Sequence, residues 1–142
     1  MDNPKIFNPA IETMPRSDLD ACIDERLRYT VRYAYEHSPF YRKWFSKNHL
    51  DPGEIREHED LLELPLISSA SIRRNQPPVT DEFMFKSVDW GDVYTIHETS
   101  GTSGVPKSFF LTWQDWTRYA EKYARIFVSQ GIGKGAVSYT HL

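Results

Sequence analysis

The chain has 142 residues, 39% of them hydrophobic, a single cysteine, and a net charge of −3 from 17 basic and 20 acidic side chains. This is enough apolar material for one ordinary domain with a core. The mild acidity excludes the basic footprint of a nucleic-acid binder, and the lone Cys22 excludes an internal disulfide and suits a reducing cytoplasm.

Residues 1–16 are Pro-rich and aperiodic and read as an extended arm lying on the rest of the molecule. Met1-Asp2-Asn3-Pro4 is no basic, apolar signal segment, and no apolar run approaches the ~20 residues of a membrane span, so a soluble cytoplasmic protein without a membrane partner is expected. Ser17 is placed to cap a helix, with Asp20 as its capping-box partner three residues on. Leu19, Ile23, Leu27, Val31, Ala34 and Tyr35 recur at helical spacing, which gives a long amphipathic helix closed by Pro39. Cys22 falls inside it as a small, half-buried side chain rather than a nucleophile.

A second helix over 40–47 carries Phe40, Tyr41, Trp44 and Phe45; with Tyr33 and Tyr35 these aromatics read as helix-packing residues. Asp51-Pro52-Gly53 signals a turn, and 60–64 a short helical turn. His58-Glu59 lacks a second His four residues after the first, so the zinc-protease pattern is absent and His58 is placed on the surface. Ser68 or Ser69 caps a further helix over 70–74, ended by Pro77-Pro78. Residues 81–92 show no helical period and read as loop with short strand pieces.

The apolar stretches Val93 to Ile96 and Phe109 to Leu111 suit two strands around a Gly-rich loop, with His97 a strand-end histidine. Thr112 then caps a last helix with Asp115 as partner. Its buried stripe is expected to be Trp116, Ala120, Tyr123, Ala124, Phe127 and Val128, and Gly131 sits where a glycine stop belongs. Gly131 to Ala136 superficially fits a dinucleotide fingerprint but follows a helix instead of joining a strand to one, so it is read as a stop and turn.

The loop itself is Thr99-Ser100-Gly101-Thr102-Ser103-Gly104-Val105-Pro106-Lys107. Glycines let successive N–H groups point into one concavity, hydroxyls add donors, and a lysine adds charge, a composition suited to a polyphosphate. The plain alternative is a solvent-exposed hairpin loop. A Walker A loop needs Gly before Lys-[Ser/Thr], where Pro106 stands; a nucleophile elbow needs Gly where Val105 stands.

The run from Thr99 to Lys107 closely resembles the phosphate-binding signature of adenylate-forming enzymes. Arg32-Tyr33-Ala34-Tyr35-Glu36-His37-Ser38-Pro39-Phe40-Tyr41-Arg42 is similar to an opening block of phenylacetate-CoA ligase-like proteins. Leu61 to Pro65, His97 to Gly101 and Phe110 to Trp116 resemble later blocks of the same branch, in the same order. That branch includes synthetases that adenylylate a deazaflavin coenzyme.

The resemblance implies an α/β fold, α+β within this stretch: a helical subregion over 17–78, then the incomplete start of an AMP-binding domain over 79–136. Residues 137–142 are read as a non-native tail, because Ala136 stands where the family has Asp and the last residues resemble adapter read-through. It implies ATP, Mg²⁺ and coenzyme A as co-substrates, and a small-molecule carboxylate, or alternatively a deazaflavin, as acceptor. Thr99, Ser100, Gly101, Thr102, Ser103, Gly104 and Lys107 would cradle the β- and γ-phosphates. No catalytic acid–base residue and no metal ligand is assigned. The family's adenine, ribose and C-terminal lysine segments have no counterpart here, so the chain by itself is expected to be inactive. A non-enzymatic helical interaction module with a Gly-rich hairpin is the alternative from another class.

Overall fold

The computed structural model describes residues 5–101, 104–133 and 135–137. Five α-helices and a two-stranded sheet follow in the order α1 (Pro9–Glu12), α2 (Arg16–His37), α3 (Pro39–Lys47), α4 (Ser69–Arg74), β1 (Thr95–Glu98), β2 (Ser108–Leu111) and α5 (Trp113–Ser129). Short 3₁₀ turns at Pro52–Glu54, His58–Glu63 and Trp90–Asp92 fill the connections.

The N-terminal arm is not wholly extended. Pro9 suits a first helical position and starts the single turn of α1. The turn lies against α5: Asn8 Nδ2 donates to Glu121 Oε1 at 2.7 Å, and Arg125 Nε lies 3.4 Å from Glu12 Oε1.

The expected Ser17 cap is corrected. Helix α2 begins two residues earlier than that cap implies, behind Pro15, with no side-chain cap, and Asp18 and Leu19 donate to the Pro15 carbonyl. Asp20 is held by Arg16 Nε at 2.9 Å, an i,i+4 pair that takes it away from the Ser17 amide.

Pro39 ends α2 as its spacing predicts and serves as the first residue of α3. Ser38, almost fully buried, joins them: its Oγ accepts from Tyr41 N and donates to Met84 O at 3.0 Å. The core lies at this corner, where Val31 of α2, Phe45 of α3 and Ile55 are buried and Leu27, Tyr41, Trp44, Leu50 and Leu64 pack on them. Burial of each such side chain is worth about 1.5–3 kcal/mol. The aromatics act as packing residues, Tyr35 and Trp44 meeting Phe45 edge-on and Phe40 stacking on Phe85 at 3.8 Å.

His58 is not simply on the surface. It is half-buried, and Asp24 Oδ1 on α2 accepts from both its backbone N (3.0 Å) and its Nδ1 (2.8 Å). Arg28 adds a bond to Arg56 O, so α2 grips the start of the 58–63 turn at two points.

Residues 81–92 contain no strand; they form turns and the 90–92 3₁₀ turn. Their backbone is used instead as a tie. Met84 O accepts from Phe40 N (2.8 Å) and Met84 N donates to Asn75 O (2.9 Å), joining the α2–α3 corner to the end of α4. Phe83 and Trp90 then pack on Phe110 of β2.

Strands β1 and β2 pair antiparallel with Ile96 opposite Phe110 and Glu98 opposite Ser108. Helix α5 opens with the expected capping box, in which Thr112 Oγ1 accepts from Asp115 N and Asp115 Oδ2 accepts from Thr112 N. It closes at Gly131 (φ +82°), where Gly131 N donates to Val128 O and Ile132 N to Phe127 O, the Schellman arrangement. Its apolar stripe, expected to be buried, is not: Trp116, beside Tyr94 and His97, and Ala120, Tyr123 and Phe127 are exposed, and only Ala124 and Val128 are half-buried. No helix among the described residues is long and apolar enough to cross a membrane. Of the tail read as non-native, only Val137 falls within the described residues.

Candidate functional site

The expected strand–loop–strand is present, and the ladder continues past the strands into the neck of the loop. Thr99 N donates to Lys107 O at 3.1 Å, and Lys107 N returns a bond to Thr99 Oγ1 at 3.0 Å. The first and last residues of the motif are thus tied to each other twice. Between them, Gly104 N donates to Gly101 O at 2.9 Å.

Gly101 has φ +69°, in the left-handed region, and the Pro106 ring lies against it: a Cβ on residue 101 would come within 3.0 Å of Pro106 Cγ. Glycine is needed there for both conformation and space. Gly104 is also left-handed (φ +116°), with no atom of the described residues within 4 Å of an added Cβ. Thr102 and Ser103, two of the seven expected ligand residues, lie outside the described residues. The other five, Thr99, Ser100, Gly101, Gly104 and Lys107, come together in this one loop.

Three residues that sequence reasoning passed over hold the loop from outside. Lys107 Nζ donates to Ser69 Oγ (3.0 Å), Arg73 Nε to Val105 O (3.2 Å), and Gln76 Nε2 to Pro106 O (2.6 Å). Their spacing of four and three residues sets them on one face of α4 and its exit. That spacing was visible in the sequence, but its target, about thirty residues downstream, was not.

His97 and Glu98 take no part in the loop. His97 is exposed beside Trp116, and Glu98 Oε1 accepts from Ser108 Oγ at 2.8 Å. A cleft of about 530 Å³ opens elsewhere, between Tyr33 and His37 of α2 and the 81–92 segment, and none of its lining residues belongs to the loop. Two cations, Lys107 and Arg73, thus stand at the described part of the loop, beside hydroxyl and backbone groups of a kind that suits anionic oxygens.

No family model matches the chain. Among curated proteins it is 34% identical over 130 residues, 92% of its length, to a phenylacetate-coenzyme A ligase of Thermus thermophilus. It is 34% identical over 121 residues, 85% of its length, to the phenylacetate-coenzyme A ligase of Escherichia coli. The chain spans only 28% and 26% of those two relatives. Among solved structures, 2-hydroxyisobutyryl-CoA ligase in its postadenylation state with 2-HIB-AMP superposes with a TM-score of 0.81 and 29% identity, over 95% of this chain and 28% of that one. The same ligase with 2-HIB-AMP and CoA in the thioesterification state gives 0.81 and 31%, over 92% and 28%. In sequence the chain is a homologue of the phenylacetate-CoA ligases, and its fold is that of the N-terminal part of an adenylate-forming ligase.

Proposed function

We propose that this chain is the N-terminal part of a cytoplasmic, ATP-dependent, AMP-forming ligase that adenylates an aryl or phenylacetate-like carboxylate and passes the acyl group to coenzyme A. One observation carries this reading: the 130-residue match to a phenylacetate-coenzyme A ligase, which includes the Gly-rich loop wherever it starts within 142 residues.

In the proposed reaction a carboxylate oxygen attacks the α-phosphorus of ATP, the bond to the β-phosphate oxygen breaks, and pyrophosphate leaves. The thiol of coenzyme A then takes the acyl group and AMP departs. This chain's share is the first step, where charge builds on the departing phosphates and fixed donors stabilise it. Thr99 to Gly104 supply hydroxyls and the backbone N–H groups between Thr99 and Gly104, those two residues' own N–H groups being bonded within the loop, and Lys107 supplies charge. Lys107 Nζ rests on the neutral Ser69 hydroxyl; exchanging that partner for an anionic phosphate oxygen pairs opposite charges and gives a stronger bond. Mg²⁺ would neutralise phosphate charge in that step, and no residue of this chain is assigned to hold it.

The test is ATP–pyrophosphate exchange by the full-length protein with phenylacetate and other aryl carboxylates, followed by AMP release on adding coenzyme A. Lys107→Ala is expected to cut exchange at least about tenfold while barely moving the melting temperature, because the side chain contributes no core. Absence of exchange with every carboxylate, or exchange indifferent to Lys107→Ala, would sink the proposal. AMP transfer to a deazaflavin hydroxyl with no thiol step would reassign the acceptor.

A further inference from the structure

Gln76 is 4% exposed, a buried polar side chain in a molecule with few of them. Its amide is satisfied at both ends by one short stretch of backbone: Nε2 donates to Pro106 O at 2.6 Å, and Oε1 accepts from Ser108 N at 3.3 Å. These two groups flank Lys107. The groups of Lys107 itself face the other way, its N bonding Thr99 Oγ1 and its O accepting from Thr99 N. Alternation along an extended segment makes this geometry natural, since successive peptide groups point to opposite edges. One edge is taken by β1 and the start of the loop; on the other, the Gln76 side chain does the work of a third strand.

We propose that Gln76 is the positioning residue of the phosphate site: it fixes the backbone on both sides of Lys107, so that the lysine and the loop meet the β- and γ-phosphates already aligned. The inference rests on the reading of this loop as the triphosphate site. Arg73 extends the clamp by one residue through Val105 O. The residue at 76 must offer a donor and an acceptor on one short planar group. Leucine offers neither and leaves two part-buried backbone groups without those partners. Glutamate keeps the acceptor but sets a charge against the Pro106 carbonyl. Gln76 is itself held in place, since Asn75 O beside it accepts from Met84 N, whose carbonyl is bonded by Phe40 N and Ser38 Oγ. The clamp is thereby referred back to the helical core.

The experiment compares ATP and AMP binding by calorimetry in the full-length protein and in Gln76→Leu, Gln76→Glu and Arg73→Met, with melting temperatures alongside. AMP lacks the phosphates that the loop would hold, so a residue that aligns the loop affects ATP alone, whereas general loss of structure weakens both. Gln76→Leu and Gln76→Glu are expected to raise the ATP Kd about tenfold and Arg73→Met about threefold, each leaving the AMP Kd within twofold. Unchanged ATP affinity in Gln76→Leu, or parallel loss of ATP and AMP, overturns the inference; if Gln76→Leu does not fold, Arg73→Met decides by the same criterion. Should Lys107→Ala weaken ATP binding while the clamp variants do not, the phosphate reading stands and only the role of Gln76 falls. Should the unsubstituted protein bind ATP no better than AMP and ignore Lys107→Ala, both fall.

Discussion

Gly101 shows how one residue joins chain geometry to chemistry. Its φ of +69° strains any side chain with a Cβ, and the Pro106 ring and the Gly104 carbonyl, 3.0 and 3.1 Å from the position of that Cβ, leave no space to relax. The motif's single proline, Pro106, therefore works by packing on its first glycine, drawing the two limbs together above the Thr99–Lys107 neck. Gly101→Ala is expected to destabilise the protein by about 1–3 kcal/mol and to speed hydrogen exchange at the Gly104 amide, which donates to Gly101 O. Gly91 has an ordinary φ and open space around it, so Gly91→Ala serves as the control and should stay within about 0.5 kcal/mol of the parent. Equal denaturation midpoints for the two variants would show that the loop does not hold this left-handed turn.

Among the elements, local signals read well and partnerships across the chain did not. Thr112 with Asp115, Pro39 and Gly131 act within a few residues of themselves, and each helix end they announce is where the sequence put it, while of the two cap candidates before α4 it is Ser68 that serves, one residue ahead of Ser69. Helix α3 ends without such an announcement: His49 takes the left-handed position (φ +54°), and Leu50 N reaches back to Phe45 O as a glycine stop would allow. Ser17 misled because Arg16 four residues before Asp20 offered that carboxylate a better partner. The loop motif was legible down to its turn, whereas Ser69, Arg73 and Gln76 were silent, since nothing local says which carbonyl a buried amide will meet. The Asp24–His58 contact was missed for the same reason, and it predicts a pH dependence. Asp24 raises the His58 pKa by accepting its hydrogen bond, and His58 lowers that of Asp24 by donating it; Glu59, 3.2 Å from Nε2, and Asp20 favour the imidazolium further. The histidine's contribution is complete below its unfolded pKa of about 6.5 and is lost as pH rises through its raised folded value. The aspartate's is present above about 3.9 and lost as pH falls through its lowered folded value. The loss of stability on His58→Gln should therefore be largest near about pH 5–6 and shrink by about pH 8. Urea midpoints at those two pH values check it, and a loss that grows with pH would contradict the pairing.

At the scale of the whole molecule, apolar surface and core are out of balance. Among the described residues three hydrophobic side chains are buried, while Trp113, Trp116, Tyr119, Tyr123 and Phe127 stand exposed along α5. Tyr119, Tyr123 and Phe127 form a ladder with ring centroids 6.3 Å apart, the spacing of an i,i+4 stripe. An amphipathic helix ordinarily turns such a stripe inward. Here α5 is tied to the rest by its polar side, through Asn8 to Glu121 and Glu12 to Arg125, and by Trp113 against Tyr94. The stripe therefore adds to α5 without adding to the core, and contiguous apolar surface of this kind drives association. The 142-residue chain on its own is accordingly expected to bind an apolar dye such as anilinonaphthalene sulfonate and to self-associate at micromolar concentration. Replacing Trp116 and Phe127 together by serine should reduce dye binding and association several-fold while lowering the urea-unfolding free energy by less than about 1 kcal/mol, because neither ring leaves a core cavity behind. Phe45→Ala, by contrast, should cost about 3–4 kcal/mol, since Phe45 is 3% exposed at the centre of the core. The contrast between the two substitutions is the measurement: a double serine variant as destabilised as Phe45→Ala would mean that the α5 stripe is buried after all, as the periodicity of the sequence had suggested.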